Sequence, residues 1–96
     1  MSSSTQRACR VLKALRGHTL NGVSNIDLSK QLNESPTNIT RALQDLMAED
    51  LVVKLDNGNF AHGRQTEQIA LAHLQALQQA QARVQEHLQR AAIYLT

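Results

Sequence analysis

Two helix-start patterns lie eleven residues apart in the middle of the chain, and they limit strongly what the chain can fold into. Ser24 can cap the first helix, because its hydroxyl can accept a hydrogen bond from a free N–H of the first turn, and an acidic residue three positions later completes a capping box. Ser35 can cap the second helix, and Pro36 follows at the first helical position, where its missing N–H costs nothing. Only Asn33 and Glu34 separate the two helices, so we predict a tight turn between them.

The apolar residues of these two helices predict which faces are buried. In the first helix we expect Ile26, Leu28 and Leu32 to face the core. Asn33 suits the turn, because asparagine enters the left-handed region more readily than most residues. In the second helix, one face carries Ile39, Ala42, Leu43, Leu46 and Met47.

A helix is predicted before this pair and a β-hairpin after it. Residues 1–4 are small and polar and suggest a frayed terminus, after which Ala8, Val11, Leu12 and Leu15 share one helix face. Residues 51–55 have the composition of a strand, residues 56–59 supply a turn, and residues 60–62 can return antiparallel. Aromatic residues make up only 2% of the chain, so the core must consist mainly of aliphatic side chains.

The last third of the chain predicts one long helix. From Gln65 to Tyr94 there is neither glycine nor proline, and alanine, glutamine and leucine dominate. Apolar residues recur at alternating steps of four and three, which is the spacing of a coiled-coil seam with one polar position. The seam consists of Ala70, Leu74, Leu77, Gln81, Val84, Leu88, Ala91 and Leu95. We predict that it forms a homodimer and that its first part packs on the first helix; the alternatives are a helix that folds back on its own domain or binds another protein.

The order of these elements is that of a winged helix-turn-helix. We therefore predict a mainly α fold with a small β-hairpin, in which a winged helix-turn-helix DNA-binding domain at residues 5–63 precedes a C-terminal dimerisation helix at residues 64–96. Turning Ile39 and Leu43 inward turns polar side chains outward, and these can meet base edges in a major groove. The outward set is Thr37, Asn38, Arg41, Gln44 and Asp45, with Thr40 at the margin.

Basic residues outside that helix are candidates for phosphate contacts. The first twenty residues carry four basic side chains and no acid, although the net charge of the chain is only +2. We predict that Arg7, Arg10 and either Lys54 or Arg64 attract DNA without sequence preference. The alternative is that the basic residues of the first helix are merely its solvated face.

Several segments of this chain resemble one family of DNA-binding proteins. They are RACRVLKAL at residues 7–15, GVS at 22–24, LSKQL at 28–32, SPTNITRAL at 35–43 and the hairpin at 51–63. Over about residues 7–72 the chain resembles the N-terminal domain of IclR-type transcriptional regulators. The resemblance implies that the helix from Pro36 enters the major groove, that the wing approaches the flanking backbone, and that Arg7 contacts DNA outside the groove. By position it implicates Pro36, Thr37, Asn38, Thr40 and Arg41 in the groove.

The chain departs from that family in two respects. Glu34 stands where the family usually has an apolar residue, which removes a hydrophobic staple and puts an acid near the DNA side. The sequence ends at Thr96, so the family's ligand-sensing domain is not expected, nor is a small-molecule effector.

Other classes of function find little support in the sequence. The four histidines, His18, His62, His73 and His87, lack metal-ligand spacing, and there is no cysteine pair. We expect no cofactor and no enzymatic activity, because no nucleophile arrangement, acid–base pair or phosphate loop is present. No apolar run suggests a membrane span or a signal sequence, so we expect a cytoplasmic protein of bacterial or phage origin. The main rival hypothesis is a winged helix that binds protein instead of DNA.

Overall fold

The computed structural model describes residues 3–95, and within that range it is mainly helical with one two-stranded antiparallel sheet. The elements are α1 (Ser4–Ala14), α2 (Asn25–Leu32), α3 (Pro36–Ala48), β1 (Val52–Lys54), β2 (Phe60–His62) and α4 (Arg64–Leu95). This confirms the predicted helices, the small hairpin and the long C-terminal helix. Thr96, which we assigned to the last helix, lies outside the described residues.

Serine caps begin the first three helices. The hydroxyl of Ser24 accepts a hydrogen bond from the N–H of Asp27 at 3.1 Å, and Ser35 accepts one from the N–H of Asn38 at the same distance. The predicted fraying is wrong at Ser3 and Ser4, because Ser3 forms a complete capping box with Gln6 and α1 begins at the next residue. Residues 1 and 2 of the predicted frayed terminus lie outside the described residues. These local hydrogen bonds satisfy N–H groups that a helix start would otherwise leave unpaired.

The turn between α2 and α3 has the predicted conformation. Asn33 adopts a left-handed backbone with φ of 53°, which ends α2. The N–H of Glu34 donates to the carbonyl of Ser29 at 3.0 Å, and the hydroxyl of Ser29 donates back to the carbonyl of Glu34. The turn is therefore held by its own backbone and by one buried hydroxyl.

The core lies where the first three helices meet. Its fully buried large side chains are Val11, Leu15, Leu28, Ile39 and Leu43. The predicted burial of Ile26 is wrong, because 60% of this residue is exposed. Two residues of an α-helix turn through about 200°, so an inward Leu28 forces Ile26 to the opposite face.

The hairpin is attached to the chain before α2. Val23 and Phe60 exchange two backbone hydrogen bonds, at 2.8 and 2.9 Å, which adds a one-residue bridge to the edge of β2. Gly22 permits this contact, since its φ is +70° and a Cβ there would lie 2.7 Å from the carbonyl oxygen of Phe60. The two-stranded hairpin, marginal by itself, is thereby fastened to the helical body.

The long helix α4 extends away from the rest of the chain. None of its residues is buried, and the molecule measures 67 × 32 × 21 Å. Its hydrogen bonds to the body are at its first turn, where the N–H of Gln65 donates to Asp50 and the hydroxyl of Thr66 donates to Leu51. The helix therefore does not fold back on its own domain. Its first turn is anchored by the segment before β1, whereas we predicted that it packs on the first helix.

The base of α4 also requires a glycine for close approach. Gly63 precedes the helix, and a Cβ at this position would lie 2.6 Å from the carbonyl oxygen of Asp50.

No helix within residues 3–95 is both long and apolar enough to cross a membrane.

The orientation of α2 predicts different effects for its two central aliphatic residues. Leu28→Ala should lower the free energy of unfolding by about 2–5 kcal/mol, because it leaves a cavity in the core. The matched control Ile26→Ala should change it by less than about 1 kcal/mol, because that side chain is largely in water. Urea denaturation followed by circular dichroism at one protein concentration measures both. Equal losses would show that α2 is rotated differently.

Candidate nucleic-acid interface

The outer face of α3 presents polar side chains above a buried apolar face. Ile39 and Leu43 are completely or almost completely buried beneath it. Asn38 is half-buried, and the other candidate positions on this helix are exposed. The exposed residues are Pro36, Thr37, Thr40, Arg41, Gln44 and Asp45.

The hydroxyl of Thr40 forms two hydrogen bonds within the protein that the sequence did not indicate. It donates to the carbonyl of Pro36 at 2.9 Å and accepts a hydrogen bond from the side-chain amide of Asn25 at 2.8 Å. The proton of Thr40 is therefore used inside the protein, which leaves its methyl group and one lone pair for a ligand. Asn25 ties the start of α2 to α3, and nothing in its local sequence distinguishes it from an ordinary polar residue of a first helical turn.

Residues of α3 and of the hairpin meet around a small cavity of about 170 Å³. Gln44 and Thr40 line it from α3, and Lys54 and Phe60 line it from the two strands. The ammonium nitrogen of Lys54 lies 5.9 Å from the centre of the Phe60 ring, within the range of a cation–π contact. The structure thus brings together three of the predicted DNA-binding residues, one of them on the hairpin.

Arg7 and Arg10 lie against the turn between α2 and α3. Arg7 Nε is 3.2 Å from Glu34 Oε2, and Arg10 Nη1 is 3.7 Å from Glu34 Oε1. Arg10 also donates to the carbonyl of Leu32 at 3.0 Å, which satisfies a carbonyl at the end of α2. The charges of both arginines are therefore partly compensated within the protein.

Glu34 replaces the expected apolar contact with an ionic one. We predicted that an acid here removes the hydrophobic staple and lies near the DNA side, and the position of DNA stays a prediction. The structure shows that only 14% of its side chain is exposed and that its carboxylate connects α1 to the turn. Arg7 and Arg10 are three residues apart and therefore share one face of α1. Their partner Glu34 lies more than twenty residues further along the chain, so no local sequence pattern indicates the ion pairs.

Other basic residues remain exposed. Lys13 and Arg16 line a shallow concavity beside Arg10 and Leu32, at the junction of α1 and α2. Arg64 is exposed at the first position of α4. These three side chains add positive charge to the surface around the helical body, whereas Asp45 brings a negative charge to the outer face of α3.

The predicted dimerisation residues lie along α4 as an exposed apolar stripe that one glutamine interrupts. Leu74, Leu77, Val84 and Leu88 are 50–58% exposed, and Leu95 near the end is 87% exposed. Gln81 lies between them, in the middle of a groove bordered by Leu77 and Val84.

Within residues 3–95, no three histidine, cysteine, aspartate or glutamate side chains lie close enough to share a metal ion.

The ion pairs of Glu34 predict a measurable effect on stability. Glu34→Ala should lower the free energy of unfolding by about 1–2 kcal/mol, mainly because the shielded guanidinium of Arg7 loses its carboxylate; Arg10, whose side chain is 40% exposed, contributes less. The matched control Glu86→Ala, on the exposed surface of α4, should change it by less than about 0.5 kcal/mol. Thermal unfolding of both variants measures the difference. A loss no larger than that of the control would mean that the ion pairs do not stabilise the fold.

The resemblance to IclR-type regulators stays a prediction from the sequence. No protein-family model, no curated protein and no solved structure matches the chain.

Proposed function

We propose that this chain is a winged helix-turn-helix protein that binds double-stranded DNA sequence-specifically and regulates transcription as a dimer. In this proposal α3 enters the major groove, and the hairpin is the wing beside the flanking backbone. The observation that carries the proposal is the polar outer face of α3, which stands next to Lys54 of the hairpin. A major groove admits one α-helix, so such a face can approach base edges while its apolar side stays packed.

The side chains on α3 suit the recognition of bases. Arg41 can form two hydrogen bonds with a guanine, and the amides of Asn38 and Gln44 can each pair with an adenine. Thr40 can contact a thymine through its methyl group, because its hydroxyl proton is already bonded to Pro36. Asp45 can accept from the amino group of a cytosine and repels phosphates, so it restricts which sequences and orientations are tolerated.

Basic side chains outside α3 would supply the attraction that does not depend on sequence. Lys54 and Arg64 are exposed and have no acidic partner in the described ion pairs. Arg7 and Arg10 share the carboxylate of Glu34, so we propose for them a smaller contribution to DNA affinity than for Lys54. They position the turn that leads into α3.

The same compensation favours a second candidate function. Glu34 offsets one of the two positive charges of Arg7 and Arg10, which lowers the attraction of the helical body for a polyanion, and a winged helix can serve as a protein-binding module. The dependence of binding on salt separates the two functions. Phosphate contacts release counterions and weaken steeply with salt, whereas contacts through apolar surface do not.

Arg41 provides the test of sequence-specific binding. After selection of bound sequences from a random DNA pool, Arg41→Ala should weaken binding to the selected sequence by about 1–3 kcal/mol, because one bidentate base contact is lost. The melting temperature should stay unchanged, since the side chain is exposed. Arg90→Ala, which removes an exposed arginine from α4, is the matched control. Full affinity of Arg41→Ala would exclude this residue from base recognition, and no selected sequence at all would contradict the proposed function.

Lys54 and Arg64 should act through phosphates. Replacing each by alanine should lower affinity for selected and unselected DNA alike and reduce the slope of log K against log salt by about 0.9 per lost contact. Titrations at several salt concentrations measure the slope, with Arg83→Ala on α4 as the control. A change in base preference with an unchanged slope would assign these two residues a different role.

A further inference from the structure

The exposed surface of this chain is too large for a compact monomer. A compact protein of 10.6 kDa is expected to expose about 5,500 Å², whereas this chain exposes 7,341 Å², an excess of about 1,900 Å². The excess is located on α4, in which no residue is buried. A standard protein interface covers about 800 Å² per partner, so α4 offers enough surface for one.

The occupant that fits this surface is a second α4. Apolar residues repeat at steps of four and three along the helix, which is the pattern of helices that pair with their own kind. The positions that flank the seam carry no lysine, arginine, aspartate or glutamate, and the charged residues of this stretch, Arg83, Glu86 and Arg90, lie off the seam. Coiled coils choose partners through charges at the flanks, so nothing here repels an identical copy or selects an oppositely charged one.

We propose that α4 pairs with α4 of a second copy in antiparallel orientation. In the register that pairs the whole seam, the axis of symmetry passes between Gln81 and Val84. Leu77 then faces Leu88 of the other copy, and both alanines of the seam face leucines. The layers are Ala70 with Leu95, Leu74 with Ala91, Leu77 with Leu88 and Gln81 with Val84.

The sizes of the seam residues favour this orientation over the parallel one. A parallel pair would put each residue opposite its own copy, so Ala91 would form a layer of alanine between two layers of leucine and Ala70 a layer of alanine at the end of the seam. Such layers leave voids, whereas placing a small side chain opposite a large one fills the space evenly. The antiparallel pair also brings the two Gln81 side chains to neighbouring layers, where their amides can bond to each other.

Antiparallel pairing determines how far apart the two helical bodies lie. The first residues of the two α4 helices would be about 55 Å apart at 1.5 Å per residue. The body lies mostly beyond the start of α4, because the molecule is 67 Å long and a 32-residue helix covers about 48 Å of that. This consequence rests on the proposed function: half-sites should be spaced by about two turns of DNA, near 70 Å, instead of one.

Two positions at equivalent places on the helix surface test the orientation. Gln68 and Ala82 are both exposed and lie two heptads apart, on the side away from the seam. In a Cys9→Ser background, one nitroxide label per chain at position 68 should give a distance of about 45 Å between copies in an antiparallel pair. A label at position 82 should give less than about 25 Å, because it lies beside the symmetry axis.

A parallel pair would give similar short distances at both positions, and that result would overturn the proposal. Absence of dipolar coupling together with a monomer in sedimentation at tens of micromolar would overturn it as well. Leu77→Glu with Leu88→Glu should produce monomers, and Gln75→Glu with Gln89→Glu, on the outer side of α4, should leave the dimer intact. A dimer that survives the leucine replacements would exclude this seam.

The distance measurement and the DNA measurement fail independently. Antiparallel dimers that bind no selected DNA would contradict the proposed function and leave the pairing of α4 standing. Specific DNA binding by dimers with short distances at both label positions would support the proposed function and contradict the antiparallel pairing of α4. Selected sequences with half-sites one turn apart, together with a 45 Å distance, would overturn only the placement of the bodies.

Discussion

The burial of one apolar face of α3 between α1 and α2 is the constraint on which the rest of the structure depends. Ile39 and Leu43 lie against the core of Val11, Leu15 and Leu28, and all five side chains are removed almost completely from water. At roughly 1.5–3 kcal/mol for each large aliphatic side chain, this burial far exceeds any single polar contact in the molecule. The rotation of α3 about its axis, and with it the set of side chains that face outward, follows from that packing.

Local signals were enough to predict the elements, because each signal acts within a few residues. The caps at Ser24 and Ser35 and the left-handed Asn33 use hydrogen bonds and backbone preferences that neighbouring residues determine. The burial of Ile26 was mispredicted because a short helix with several aliphatic residues has two plausible inner faces. Tertiary packing buried Leu28 and left Ile26 exposed.

The contacts that connect distant segments could not be predicted from the sequence. Asn25 bonds to Thr40 fifteen residues later, and Glu34 draws two arginines of α1 towards the turn. Composition suggested a basic α1, but the structure shows that the acid beside its arginines comes from the turn between α2 and α3. The outward positions on α3 followed from periodicity alone, whereas the approach of Lys54 to the same side depends on the bridge between Val23 and Phe60.

The joint between the hairpin and α4 has a mechanical consequence. Gly63 packs against the carbonyl of Asp50 without room for a side chain, and Gln65 and Thr66 add hydrogen bonds to Asp50 and Leu51. No flexible linker separates the helical body from the long helix, so a torque applied to α4 is transmitted to the body as it would be through a rigid lever. Whatever holds the far end of α4 therefore sets the direction in which the outer face of α3 points.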